Sequence, residues 1–159
     1  MQPGGKVSEK LVARARAVQI LKKLPVFSGL LEDEYFKVLA TCSSVTVEAG
    51  EHLFRQGDDG SSMFILLTGR VDILVEGKGV VHTMQAGEIL GEMGLVKKIT
   101  RTATAVVKER GVMLQLYAEV LHDVVGKHPR IGYVIMRNVA GILAERVIAA
   151  NKKNAATKS

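Results

Sequence analysis

A carboxylate and a guanidinium nine positions apart, Glu92 and Arg101, are the residues of this chain best suited to binding chemistry. A glycine turn precedes them, Glu92–Val96 is predicted to form about one helical turn, and a β-rich run starts at Thr102. The free N–H groups at the start of a helical turn, together with the permanent charge of Arg101, suit an anion such as phosphate. An ionised Glu92 only accepts hydrogen bonds, which suits sugar hydroxyls. The segment 91–105 therefore offers an anion end and a diol end, and a ribose phosphate satisfies both.

The surrounding elements that must position this segment are short β-forming runs separated by glycines, between about residues 43 and 117. Such a pattern is typical of an antiparallel sandwich or small barrel and not of a parallel α/β sheet. Within it, Leu67-Thr68-Gly69-Arg70-Val71 predicts a tight hairpin. Helical periodicity flanks the β region, at about 7–24 and 31–41 before it and at about 118–150 after it.

Composition bounds the class of protein. The 159 residues, 47% hydrophobic and 24% charged, predict one domain with a real core. No apolar run approaches the roughly 18 residues of a membrane helix, and the N-terminus lacks the apolar stretch of a secretory signal. The single cysteine, Cys42, excludes an intrachain disulfide and favours a reducing compartment. We therefore expect a cytoplasmic chain without a membrane span.

The net charge of +6 is located at the two ends of the chain. Residues 1–24 carry +5, residues 151–159 carry +3, and residues 25–150 carry −2. A domain that reads nucleic acid builds its basic face into the fold, so we predict no direct nucleic acid binding. The four histidines are scattered without the spacing of a metal pair, so we predict no metal site.

An ordered set of motifs carries a resemblance to a known family. Gly91-Glu92, an arginine nine positions after the glutamate, and Thr102-Ala103-Thr104 resemble the phosphate-binding cassette of cyclic nucleotide-binding domains. Five further segments of this chain resemble successive landmarks of that family: Leu24-Pro25-Val26-Phe27, Ala49-Gly50-Glu51, Phe54-Arg55-Gln56-Gly57-Asp58, Met63–Val71 and Ala86-Gly87-Glu88. The resemblance covers about residues 24–150. The sequence departs from the family pattern at Leu90, where an aromatic is frequent, at Gly94, where alanine is common, and at Ile99-Thr100, where a proline often precedes the arginine.

The resemblance implies a mainly β fold with flanking helices (α+β), an eight-stranded antiparallel jelly-roll β-barrel with N-terminal helices and a C-terminal lid helix. It divides the chain into an N-terminal basic helical segment at 1–24, the binding domain at 25–150 and a polar tail at 151–159. Within the binding domain, the barrel is expected at about 43–117 and the lid helices at about 118–150.

The resemblance also implies the roles of individual residues. Arg101 corresponds to the arginine that pairs with the cyclic phosphate, and Glu92 to the glutamate that binds the ribose 2′-hydroxyl. Arg146, on the lid helix, is expected to stack on the base through its planar guanidinium. The full expected set of ligand-binding residues is Gly91, Glu92, Met93, Arg101, Thr102, Ala103, Leu143, Arg146 and Val147.

The function implied is a regulatory sensor of cAMP or cGMP and not an enzyme, with closure of the lid helix as its signal and an effector protein as its partner. Thr102 resembles members that accept cGMP, while related members with this threonine prefer cAMP, so base preference stays open. Three alternatives remain at this stage: a ligand-free interaction module that docks or forms a homodimer through its terminal helices, a cyclic di-GMP sensor, and a jelly-roll metalloenzyme. The scattered histidines speak against the last.

Overall fold

Helices flank an antiparallel β region in the computed structural model, which describes residues 4–158. The chain begins with α1 (Gly4–Lys23), a 3₁₀ helix (Pro25–Phe27) and α2 (Glu32–Thr41). The strands are β1 (Ser43–Val47), β2 (His52–Phe54), β3 (Asp59–Gly60), β4 (Ser62–Val75), β5 (Gly79–Met84), β6 (Ile89–Leu90), β7 (Ile99–Thr100) and β8 (Thr104–Tyr117). The one-turn helix α3 (Met93–Val96) lies between β6 and β7, and α4 (Ala118–Lys127) and α5 (Pro129–Thr157) follow β8.

Every strand pairing is antiparallel. The larger sheet has the order β1-β8-β4-β5, with β2 paired to β8 and β6 paired to β4, while β3 and β7 form a separate two-stranded ladder. The eight strands and flanking helices of residues 4–158 confirm the predicted jelly-roll class. The ladder of β3 and β7 joins the loop before β4 to the loop after α3, which carries Arg101.

Buried side chains alternate between the two faces of the long strands and form two separate hydrophobic cores. On β4, Met63 and Ile65 pack with the helices, whereas Phe64 and Leu66 pack with other strand residues. Successive strand side chains point to opposite faces, so one strand serves both clusters. The core shared with the helices ties α1, α2, α4 and α5 to the outer face of the sheet.

The predicted hairpin at Leu67–Val71 is wrong, because β4 runs unbroken through Gly69. Gly69 adopts φ +89° and lies opposite Gly111 of β8, at shifts of register between the two strands. A Cβ on Gly69 would lie 2.8 Å from the Gly111 Cα and 2.7 Å from the Glu109 carbonyl oxygen. The glycine therefore marks a bulge where two backbones approach closely, and not a chain reversal.

A buried carboxylate joins the N-terminal helices to α5. Glu34, 6% exposed, accepts hydrogen bonds from the Leu31 amide at 2.7 Å and from Nη1 of Arg130. Burial acts to raise the pKa of Glu34, but these hydrogen bonds and the charge of Arg130 outweigh it and hold the pKa below its usual range. Asn138 adds hydrogen bonds from α5 to the Val26 and Ser28 carbonyls at 3.1 and 2.8 Å. The first half of α5 is thus fixed to the body of the domain.

The second half of α5 is mostly exposed and continues as helix to Thr157, through most of the segment predicted as a polar tail. Residues 1–3 and 159, which belong to the predicted terminal segments, lie outside the described residues. The division of the chain at residues 24 and 150 stays a prediction. In the described part of the chain, no helix combines the length and hydropathy needed to cross a membrane.

Candidate functional site

A cavity of about 190 Å³ lies between β6, the loop carrying Arg101 and the lid helix α5. Its wall is formed by Phe54, Ile89, Leu90, Gly91, Glu92, Met93, Ile99, Arg101, Thr102, Ala103 and Arg146. Seven of the nine residues expected to bind ligand are in this wall. Leu143 instead packs against the core shared with the helices, and Val147 is 59% exposed on α5.

Arg101 is a buried cation, with 7% of its surface exposed. Its Nη2 donates to the Ser62 carbonyl oxygen at 2.9 Å and to Ser62 Oγ at 3.4 Å, and its guanidinium lies 4.3 Å from the centre of the Phe54 ring. Across residues 4–158, no carboxylate forms an ion pair with Arg101, and its buried Nε has no hydrogen-bond partner. Burial lowers the pKa of Arg101, and the more distant charge of Asp58 offsets this only in part. The cavity wall therefore contains a desolvated positive charge that lacks an anion.

Glu92 is a buried anion with a different arrangement. It is 3% exposed, and its Oε1 accepts a hydrogen bond from Nη1 of Arg146, whose side chain is 55% exposed. The two residues are 54 positions apart and meet because α5 passes over the cavity. The ion pair of Glu92 and Arg146 and the buried guanidinium of Arg101 thus lie in the wall of the same cavity.

Four residues of the cavity wall were not among the expected binding residues: Phe54, Ile89, Leu90 and Ile99. Leu90 lies next to the segment 91–105 and Ile99 lies within it, so proximity was a usable signal for them. Phe54 belongs to a matched landmark, but its place under the guanidinium depends on the pairing of β2 with β8. That pairing joins residues about 50 positions apart, which local spacing does not reveal.

A larger cavity of about 540 Å³ lies elsewhere, between α1, α2 and the sheet. Its wall is mainly apolar, and its charged residue, Arg14, is exposed. Burial raises the pKa of the Cys42 thiol in this wall to about 11, so the thiol is protonated at neutral pH. The smaller cavity holds the buried charges and is the better candidate for ligand chemistry.

Comparison with known proteins agrees with this geometry. The family model of the cyclic nucleotide-binding domain matches residues 44–128, more than half of the chain. Among curated proteins, glutaminase 1 of Bradyrhizobium diazoefficiens is 31% identical over 84% of this chain and 22% of its own length. The cAMP-dependent protein kinase regulatory subunit of Schizosaccharomyces pombe is 32% identical over 57% of this chain and 22% of its length. The chain thus spans about a fifth of each of these two relatives.

Solved structures share the fold of this chain. A cyclic nucleotide-binding domain from Methylobacillus flagellatus superposes with a TM-score of 0.75 at 20% identity, over 89% of this chain and 82% of the other. The catabolite activator protein of Thermus thermophilus superposes with a TM-score of 0.72 at 27% identity, over 82% of this chain and 61% of the other. The family model matches more than half of the chain, and the fold and the cavity lined by Glu92 and Arg101 agree with it. This chain therefore belongs to the cyclic nucleotide-binding domain family.

Proposed function

We propose that this domain is a sensor of a cyclic mononucleotide, cAMP or cGMP, and that it regulates an effector without catalysing a reaction. The observation that carries the proposal is Arg101, a buried cation whose Nε lacks a hydrogen-bond partner and which forms no ion pair with a carboxylate in residues 4–158. A desolvated charge without a counter-ion is costly in a folded protein. A cyclic phosphate in the cavity would supply both the missing charge and the missing acceptor.

In this proposal, the phosphate binds Arg101 and the ribose 2′-hydroxyl donates to Glu92. Gly91 and Thr102 approach the sugar and phosphate, and Met93 and Ala103 complete the wall around them. Small-molecule sites usually measure roughly 300–1,000 Å³, so a cavity of about 190 Å³ must enlarge before a whole nucleotide fits. Movement of the second half of α5 supplies that space.

Arg146 connects the ligand to this movement. The ribose hydroxyl and Arg146 compete for, or share, the carboxylate of Glu92, so binding changes the contact that holds α5 over the cavity. A guanidinium released from Glu92 is free to stack on the base, and Leu143 and Val147 would reach the ligand when α5 closes again. A ligand shifts such an equilibrium only by preferring one position of the helix.

Titration of the purified protein with cAMP and cGMP, with 5′-AMP as the control, tests the proposal. Ligand at about 100 times its dissociation constant adds about 2.7 kcal/mol to the free energy of unfolding. We expect a higher melting temperature with a cyclic nucleotide and not with 5′-AMP, and the larger response identifies the preferred base. No shift with either cyclic nucleotide at millimolar concentration contradicts the proposal.

A second candidate is a ligand-free interaction module. Large apolar side chains are exposed on the two terminal helices: Val7, Leu11 and Val12 on α1, and Val147 and Ile148 on α5. They favour docking to an effector or to a second copy of the chain. Sedimentation velocity with and without cyclic nucleotide separates this candidate from the sensor. Cytoplasmic location and the identity of the effector stay predictions.

A further inference from the structure

The backbone of Arg101 is held by the segment Gly57–Ser62, which the cassette motif does not include. The Arg101 amide donates to the Asp58 carbonyl at 2.7 Å, and the Arg101 carbonyl accepts from the Gly57 amide at 2.9 Å. Just before it, β7 pairs with β3, with Gly60 opposite Ile99. The loop before β4 therefore fixes where the Arg101 side chain starts.

Gly60 leaves the space that the Arg101 side chain occupies. Gly60 is buried, and a Cβ built on it would collide with Arg101 Nε and lie 2.6 Å from Cζ and 2.8 Å from Cδ. These atoms form the inner part of the side chain, and they cannot swing away while Nη2 stays bonded to Ser62. The φ angle of Gly60 is outside the left-handed region, so the need for glycine here is space and not backbone conformation.

The guanidinium end of the side chain is also fixed. Ser62, 6% exposed, accepts from Nη2 through its carbonyl and its hydroxyl, and Gln115 of β8 donates to the same hydroxyl at 3.2 Å. Phe54 lies against the guanidinium. These contacts occupy Nη2, while the buried Nε is left without an acceptor in the described part of the chain.

We propose that Gly60 is a positioning residue for the phosphate arginine: its missing side chain seats Arg101 in one orientation before any ligand is bound, with Ser62 holding the tip. This inference rests on the proposed function in one respect, namely that the anion received by Arg101 is the cyclic phosphate. The orientation itself is a property of the ligand-free domain. A preorganised donor binds more tightly because no ordering is required when the ligand arrives.

The test is a double-mutant cycle. Gly60→Ala is measured in the parent and in the Arg101→Ala variant, with cAMP and cGMP as ligands and Gly126→Ala as the matched control, since nothing lies within 4 Å of a Cβ at Gly126. In catalysis, misplacing a group by about 1 Å can cost roughly 100-fold in rate. We expect a comparable loss, roughly 10- to 100-fold, in the nucleotide affinity of the parent when Gly60→Ala displaces the guanidinium. Without the guanidinium there is room for the methyl group, so the same change has less than about a two-fold effect on the weak binding that remains in Arg101→Ala, measured at millimolar nucleotide. Equal losses in both backgrounds overturn the inference, because they indicate a general structural defect.

A second measurement needs no nucleotide. The side-chain Nε–H signal of Arg101, identified in a ¹⁵N NMR spectrum by its loss in Arg101→Ala, is expected to shift or broaden in Gly60→Ala and to stay unchanged in Gly126→Ala. An unchanged signal in Gly60→Ala overturns the inference. If the parent protein binds neither nucleotide, the proposed function fails, while this spectrum still decides whether Gly60 positions Arg101.

Discussion

Replacing Arg101 by methionine is expected to affect ligand binding and folding stability in opposite directions. Methionine is an unbranched, uncharged and somewhat smaller side chain, so it fills most of the space of the arginine and removes the buried cation. If Arg101 is retained for a ligand, its removal abolishes tight binding without weakening the ligand-free fold.

The contacts of Arg101 set the expected magnitudes. Dehydrating an unpaired cation costs several kcal/mol. Against this, a hydrogen bond from a charged group, here to the Ser62 carbonyl at 2.9 Å, contributes about 1.5–3 kcal/mol. A cation–π contact, here at 4.3 Å from the Phe54 ring centre, contributes about 0.5–2 kcal/mol. These terms nearly cancel, and apolar replacement of buried charges is often neutral or stabilising by about 1–4 kcal/mol.

We therefore expect ligand-free Arg101→Met to be at least as stable as the parent in urea unfolding, with a gain of up to about 2 kcal/mol. Each kcal/mol corresponds to about 2–4 °C in melting temperature for a chain of this size. Binding of cAMP or cGMP, measured by isothermal titration calorimetry, loses a charge pair worth about 3–5 kcal/mol. At about 1.4 kcal/mol per decade, that loss is roughly 100-fold or more in the dissociation constant.

Arg110→Met is the matched control, because Arg110 is an exposed arginine paired with Glu48 at 2.8 Å. Its loss is expected to leave both the urea midpoint and the affinity nearly unchanged, because exposed ion pairs contribute little to stability. A loss of more than about 2 kcal/mol in ligand-free Arg101→Met would refute the reasoning, since Arg101 would then stabilise the fold itself. Unchanged affinity would refute its role toward phosphate.

Three further predictions concern the diol end, the joint between α5 and the N-terminal helices, and the bulge. Glu92→Gln is expected to weaken binding of cAMP by roughly 10-fold or more, because a hydrogen bond to a charged group contributes about 1.5–3 kcal/mol. Binding of 2′-deoxy-cAMP should weaken far less, because this analogue lacks the hydroxyl that donates the hydrogen bond. Equal losses for the two ligands in calorimetry contradict the role of Glu92. The pKa of Glu34 is lower in the folded state than in the unfolded state, where it is about 4.3. Ionised Glu34 therefore contributes fully to folding stability above the unfolded pKa, and this contribution is lost as the pH falls through the folded pKa. Glu34→Gln should therefore lower the urea midpoint at about pH 7 and leave it nearly unchanged at about pH 2, and an equal change at both would count against the pairing. Gly69→Ala, at φ +89° and in contact with β8, should destabilise the fold by more than about 1 kcal/mol in urea unfolding, whereas Gly126→Ala should not.

The sequence by itself determined the features that depend on local spacing. The interval from Glu92 to Arg101, the glycine turn before it and the strand after it predicted an anion site and a diol site on one loop. The periodicity also indicated the helices before and after the β region, because apolar spacing records which face of an element is buried. The binding roles of these residues stay predictions, which the titrations above test.

Only the tertiary structure decided how distant parts of the chain meet. Gly69 looked like a hairpin turn, but the close approach of β8 makes it a bulge, and a single strand cannot show what lies across from it. In the same way, Gly60 lies against a side chain 41 positions later, and Arg146 reaches Glu92 across 54 positions. Leu143 and Val147, expected in the cavity wall, lie outside it because the position of α5 sets which of its faces points inward. These contacts depend on strand register and helix placement, which the packing of the whole domain fixes.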